Sequence, residues 1–262
     1  MSGVPSPRAL RRLILEEAYR ARVGHIGSAL SVVEILAALY GGVLCRGTSE
    51  LERDRFVLAK GHAALALYAT LHLKGLLERA TLASYCADGS LLGVHPSHRL
   101  VGVDFSTGSL GQGLGIATGA ALAARLQTSS RRVFALLSDA ECNEGSTWEA
   151  AMFAGHHRLD ALAVVVDLNG QQALGPTAGI LDQSALAARW RAFGWQVREV
   201  EGHDTAAIAA ALARPSGAPL VVLARTISGR GVTFMERQVD WHYLPMTEAQ
   251  YRQALAESDS LP

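Results

Sequence analysis

Two apolar runs that each break off into a polar loop constrain this chain more than any other feature. The first, Val133-Phe134-Ala135-Leu136-Leu137, ends in Ser138-Asp139-Ala140-Glu141-Cys142-Asn143-Glu144-Gly145. The second, Leu162-Ala163-Val164-Val165-Val166, ends in Asp167-Leu168-Asn169-Gly170-Gln171. Runs of Val, Leu and Ala without polar alternation predict parallel strands buried on both faces, and their polar ends mark the carboxyl edge of a sheet. Open α/β sheets bind ligands at that edge, close to helix N-termini. Asp139 and Asn169 stand about thirty residues apart, one strand–helix–strand unit, so their loops fall side by side. For Asp139 alone a helix cap is the simpler reading. As a pair, these hard oxygen donors, with the backbone carbonyl of Gln171, suit Mg²⁺ or Ca²⁺ holding a phosphorylated molecule.

The rest of the chain supports the same architecture. Ser6-Pro7 opens a helix with apolar residues at Leu10, Leu13, Ile14, Ala18 and Ala21, which Gly24 is expected to end. The turn Gly24-His25-Ile26-Gly27-Ser28 follows, and Ser31-x-x-Glu34 reads as a capping box for a helix over 32–39. A short strand at 56–59 leads through Lys60-Gly61-His62 into a helix at 63–74, and 81–104 reads as irregular. From 107 to 126 a helix rich in Ala and Gly is expected, its small residues implying close approach of a neighbour. Beyond the two central strands come helices at 146–157, 184–193 and 205–212, alternating with strands at 196–200 and 220–224. This alternation predicts a doubly wound, mostly parallel α/β sheet flanked by helices. A single domain over 1–262 is expected, with an irregular extension from about 227 that carries Asp240-Trp241-His242-Tyr243 and a short helix at 248–255.

Composition excludes several function classes. Formal net charge is zero, so no general attraction to nucleic acid or to an anionic membrane is expected. No apolar run is long enough to span a bilayer, and residues 1–7 lack a leader's apolar core. Cys45, Cys86 and Cys142 are scattered without metal-ligand spacing, and Cys142 reads as a small buried hydrophobe. A soluble cytoplasmic protein is the expectation.

Asp139 followed by Asn169 resembles the thiamine diphosphate signature, whose usual form is Gly-Asp-Gly with Asn some thirty residues later. The blocks Gly24-His25-Ile26-Gly27, Lys60-Gly61-His62, Gly93-Val94-His95-Pro96, Thr107-Gly108-Ser109-Leu110-Gly111-Gln112-Gly113 and Asp240-Trp241-His242 resemble, in order, blocks of transketolase. The resemblance covers roughly residues 8 to 256 and is to the diphosphate-binding half of that family, as an N-terminal subunit of a split enzyme.

The resemblance implies that Asp139, Asn169 and the Gln171 carbonyl bind Mg²⁺ (or Ca²⁺). Gly108, Ser109, Leu110 and Ala140 would line thiamine diphosphate, with His62 near the diphosphate and Glu144 and His242 also counted at the cofactor. His25, His62, His95 and His242 would be the catalytic group, facing sugar hydroxyls and the thiazolium end. Glu144 and Glu149 match acidic residues that face a partner domain. The chemistry explains the imidazoles, since two-carbon ketol transfer from a ketose (phosphate) to an aldose (phosphate) moves protons on and off sugar oxygens. His72, His98, His156, His157 and His203 read as ordinary surface or packed side chains.

Three departures from the family pattern stand near this site: Ser138 and Ala140 for the two glycines, Ile26 for a proline, and Tyr243 for a small residue. A positive φ at Ala140 would cost about 1 kcal/mol or more. Ile26 and Tyr243 lie toward the substrate end and point to altered substrate choice, hence to the alternative of a different acceptor in a specialised pathway. Ser138 and Ala140 motivate a further alternative, a degenerate non-catalytic subunit. The resemblance also implies a second polypeptide, because the pyrimidine-binding domain lies beyond the matched part. A C-terminal pyrimidine-binding partner in an α₂β₂ assembly is expected, with this chain inactive alone.

Overall fold

The computed structural model describes residues 4–45, 47, 49–214 and 217–260; the first three residues and the last two of the expected 1–262 domain lie outside them. Its centre is a five-stranded, all-parallel sheet. The strands are β1 (Arg55–Leu58), β2 (Val133–Ser138), β3 (Leu162–Leu168), β4 (Gln196–Glu201) and β5 (Leu220–Arg225), in spatial order β1-β2-β3-β5-β4. Ser138 pairs with Asp167, so the polar ends of β2 and β3 emerge together at the carboxyl edge.

Helices cover both faces, as the unbroken apolar strands require. Phe56, Leu58, Phe134, Leu136, Ala163, Val165 and Val222 face one core, with α1 (Pro7–Ala21), α2 (Ile26–Ser31), α3 (Val33–Ala38) and α4 (Ala64–Leu73). Val57, Ala135, Leu137, Val164, Val166, Val221 and Leu223 face the other, with α5 (Gln112–Leu126), α6 (Gly145–His156) and α7 (Leu186–Ala192). The alternation follows the two-residue period of a strand. Helix α4 is buried from Ala64 to Leu71, which explains why it is apolar all round. Two further helices, α8 (Thr205–Ala211) and α9 (Glu248–Asp259), complete the layer around the first core, and Thr247 with Gln250 forms a capping box for the latter.

Local details depart from the sequence reading in three places. Helix α1 opens as expected on Ser6 and Pro7, but it ends at Ala21 with Arg22 in the left-handed conformation (φ 53°), before Gly24. Ser31 does not cap a helix. It is the last residue of α2, the chain breaks at Val32, and the Ser31 hydroxyl donates instead to Asp167 Oδ2 at 2.7 Å. Glu34, the other half of the expected box, is buried between Arg11 (2.5 Å) and His203 (2.9 Å). Both side chains serve tertiary contacts that a local pattern does not reveal.

The small residues of α5 do permit close approach. A Cβ on Gly113 would lie 2.2 Å from Ala59 Cβ and 2.7 Å from Ala59 Cα, whereas one on Gly115 would meet nothing within 4 Å. Gly113→Ala is therefore expected to destabilise the chain by about 1–3 kcal/mol through overpacking. Gly115→Ala should stabilise it by roughly 0.5–1 kcal/mol through helix propensity. Urea unfolding of both variants checks the contrast, and equal effects would contradict this docking of α5 on β1.

Candidate active site

The polar loops at the carboxyl edge meet over a cavity of about 450 Å³. A buried polar cluster adjoins it through Asn169, which is in the lining. Lys60, just past β1, and Asp167, inside β3, are both fully buried and form an ion pair. Asp167 also accepts from Ser31, from Asn169 Nδ2 (3.0 Å) and from the Thr226 hydroxyl. Since Asn169 Nδ2 is committed to Asp167, its Oδ1 is turned toward the Gln171 loop, where it accepts from Gln171 N at 2.9 Å.

Asp139 lies beside this cluster and joins the two loops. Its Oδ2 accepts from Gly170 N (3.0 Å) and the Thr177 hydroxyl (2.8 Å), and its Oδ1 accepts from Ala140 N (2.9 Å). The Ala140 N–H thus serves its neighbour's carboxylate. Asp139 has φ −59°, and Ala140 is not among the residues with positive φ. Ser138-Asp139-Ala140 therefore takes up its turn without left-handed strain. Burial, then the nearby Asp167 charge, push the Asp139 carboxyl up to about 6, and burial pushes Glu141 up to about 7. A bound cation would relieve Asp139 of this penalty. Among the described residues no group of three or more His, Cys, Asp and Glu is placed to hold a metal. A cation beside Asp139 would draw on that carboxylate and on neighbouring amide and carbonyl oxygens.

The four singled-out histidines come together from three separate stretches and one irregular loop. The His25 ring lies 4.9 Å from His242, 5.6 Å from His62 and 6.4 Å from His95, and His62 lies 5.4 Å from His242. His25 is held at φ 61°, a left-handed conformation uncommon outside glycine, and its N–H donates to the His242 carbonyl at 3.1 Å. Tyr68, buried under the 93–96 loop, donates to the carbonyls of Gly93 and His95. Gly61 and Gly108 meet backbone to backbone, and a Cβ on Gly108 would touch the His95 ring at 3.3 Å. Burial, then neighbouring positive charge, lower three of these imidazoles. His242 falls to about 4, His62 well below its usual value, and His25 also below it. His25, His62 and His242 are thus neutral hydrogen-bonding groups at pH 7.

His25, His62, His95, Leu110, Ala140, Glu144, Asn169, Gln171 and His242 all line the cavity. Gly108 packs beneath His95, Ser109 is exposed outside the lining, and Asp139 is buried behind the wall. No Lys or Arg is among the lining residues. Sequence reasoning missed Lys60 and Asp167 as a pair, together with Ser31, Thr226, Thr177 and Gln183, whose Nε2 donates to the Asp139 carbonyl at 2.7 Å. The one signal for them was a charged residue directly following or ending a buried apolar run. His203, read as ordinary, is a structural group: Nε2 accepts from Ile227 N, so Nδ1 carries the proton donated to Glu34.

The chain matches the family described as transketolase, thiamine diphosphate binding domain, over residues 6–257. It is 42% identical over 258 residues to the 6-deoxy-6-sulfo-D-fructose transketolase subunit SqwG of Clostridium sp. (strain MSTE9), covering 95% of this chain and 93% of that one. It is 35% identical over 253 residues to an apulose-4-phosphate transketolase subunit of Phocaeicola vulgatus, covering 94% and 90%. The crystal structure of transketolase from Campylobacter jejuni superposes with a TM-score of 0.90 at 28% identity, covering 97% of this chain and 42% of that one. The chain thus spans about two fifths of that full-length transketolase.

Two outcomes follow from this geometry. Lys60→Met leaves Asp167 buried and unpaired, and a loss of about 3–5 kcal/mol in denaturant unfolding is expected. For His242, the folded group binds protons less readily than the unfolded one. Its contribution to stability is present above about 6.5 and is lost as pH falls toward about 4. Thermal midpoints measured across that window should fall with pH, and His242→Asn should flatten the slope.

Proposed function

The chain belongs to the transketolase family, in its thiamine diphosphate-binding part, and we propose that it serves as the N-terminal subunit of a split transketolase, transferring a two-carbon ketol unit from a ketose (phosphate) to an aldose (phosphate). The observation that carries this reading is one cavity with oxygen donors at the joined ends of β2 and β3 and four clustered imidazoles facing them. The whole stretch acts as a single diphosphate-half domain.

The residues present fit the cofactor and its cation. Asp139, Asn169 and the Gln171 carbonyl form a hard oxygen set suited to Mg²⁺, with Ca²⁺ as the alternative. Gln171 Oε1 and Gln172 Nε2, on residues of the cavity wall, are buried without hydrogen-bond partners. The missing Cβ of Gly108 leaves room beneath His95. On this reading Gly108, Ser109, Leu110, Ala140 and Glu144 border the cofactor, with His62 and His242 beside it. When bound, thiamine diphosphate supplies the nucleophilic carbon and the electron sink for C–C cleavage. The chain's own part is to hold the diphosphate through the cation and to fix sugar hydroxyls on His25, His62, His95 and His242. Their ring nitrogens take and return protons at the sugar oxygens.

The partner is a C-terminal pyrimidine-binding subunit in an α₂β₂ assembly. Leu174 and Ile180 are exposed on the cavity wall, which supports a covering surface there. The setting is cytoplasmic; no helix among the described residues is long and apolar enough to cross a membrane. The relatives named for a sulfosugar and for apulose 4-phosphate, with Ile26 and Tyr243, favour a modified sugar of a specialised pathway as the substrate.

Calorimetry of thiamine diphosphate with Mg²⁺ on the reconstituted pair tests the site. Asp139→Ala should weaken binding more than the roughly 10–100-fold typical of residues that only support a metal ligand. Unchanged affinity would sink the assignment, and ketol transfer by the chain without its partner would sink the split architecture.

A further inference from the structure

We propose that Tyr243 is a positioning residue for the substrate end of the site, acting through the short hairpin that lines the cavity together with His242. Its connection to a sugar rests on the transketolase reading; the contact itself does not.

The turn that carries Tyr243 is clamped by backbone. His25 N donates to the His242 carbonyl at 3.1 Å, and Tyr243 N donates to the Asp240 carbonyl at 3.0 Å. Gly24 packs so tightly that a Cβ there would lie 2.6 Å from the Tyr243 carbonyl oxygen. The Tyr243 ring stands edge-on to His242, with centroids 5.1 Å apart, and its hydroxyl donates to the Ala173 carbonyl at 2.7 Å.

Ala173 belongs to the connection between Gln171–Gln172 and Gly175–Pro176, an antiparallel pair of two-residue strands. A pair so short does not hold its shape unaided. Its base is tied down, because Asn143 Nδ2 donates to Gln172 Oε1 at 3.1 Å and Thr177 donates to Asp139. Its tip projects, with Leu174 85% exposed. The Tyr243 hydroxyl ties the tip back to the histidine turn. Ala173, Leu174 and His242 line the cavity while Tyr243 does not, so the tyrosine acts through them. The length of one tyrosine sets the separation of the hairpin from His242. With a small residue at 243 the tip would lose this tie and the wall would loosen.

Hydrogen–deuterium exchange on the wild-type chain, Tyr243→Phe and Tyr243→Ala tests the latch. Kinetics with a panel of ketose donors, on each chain combined with its pyrimidine-binding partner, test its consequence. The Phe variant keeps the ring and removes the hydrogen bond. Exchange at residues 173–175 is expected to rise about three- to tenfold in both variants, the range set by one solvent-accessible hydrogen bond, with the thermal midpoint within about 2 °C of wild type. KM for the donor should rise by a similar factor while kcat changes less than about twofold, a split that general destabilisation would not produce. Unchanged exchange in both variants overturns the latch. Raised exchange with unchanged KM overturns the positioning role. If the wild-type pair transfers no ketol unit, the transketolase reading fails, and exchange alone decides for or against the latch.

Discussion

Two opposite charges with no access to water lie under this site. Lys60 and Asp167 are each fully buried. Removing them from solvent costs several kcal/mol per ion, repaid only when their remaining hydrogen-bonding capacity is filled. Three further donors fill it: Ser31 from α2, Asn169 from the loop after β3 and Thr226 from the end of β5. The cluster therefore joins β1, β3, β5 and α2 at one point, and reaches the cavity through Asn169. It decides which way the Asn169 amide faces, because only the nitrogen can donate to a carboxylate. It also bears on the imidazoles, since the Lys60 charge, after burial, helps hold His25, His62 and His242 in their neutral forms.

A second buried network braces the same region from behind. Glu34 lies between Arg11 and His203, and Arg11 Nε donates to the Arg230 carbonyl at 3.2 Å. Burial alone would raise the Glu34 carboxyl, but the bonds from His203 and the charge of Arg11 outweigh it and hold it low. The segment pinned by His203 and Arg11, at Ile227 and Arg230, presents Gly229 N to the Gly27 carbonyl at 3.0 Å and so supports α2, the helix that follows His25. The left-handed His25 is over-determined by its surroundings, as a strained position at a functional site must be.

The sheet and most of the helices were legible because strands buried on both faces leave long apolar runs that a single sequence displays. The four histidines were legible because each stands in a turn or a block with its own pattern. The Lys60–Asp167 pair was not, since its members are separated by 107 positions and no local periodicity joins them. Ser31 was misread for a related reason, its hydroxyl being spent on Asp167, 136 positions away. The hairpin at 171–176 escaped because two-residue strands have no period to detect. At Ser138-Asp139-Ala140 the sequence posed a question that only backbone geometry answers. The turn stays in the right-handed region, so alanine is tolerated where the family pattern has glycine.

Among the described residues, the cavity wall contributed by this chain carries neither lysine nor arginine. An anionic group on a bound molecule would therefore find no lysine or arginine on this wall to pair with. Under the proposed split architecture, charge pairing with such a group would fall to the other polypeptide, while the histidine turn and the hairpin held by Tyr243 would shape the part of the cavity that this chain supplies.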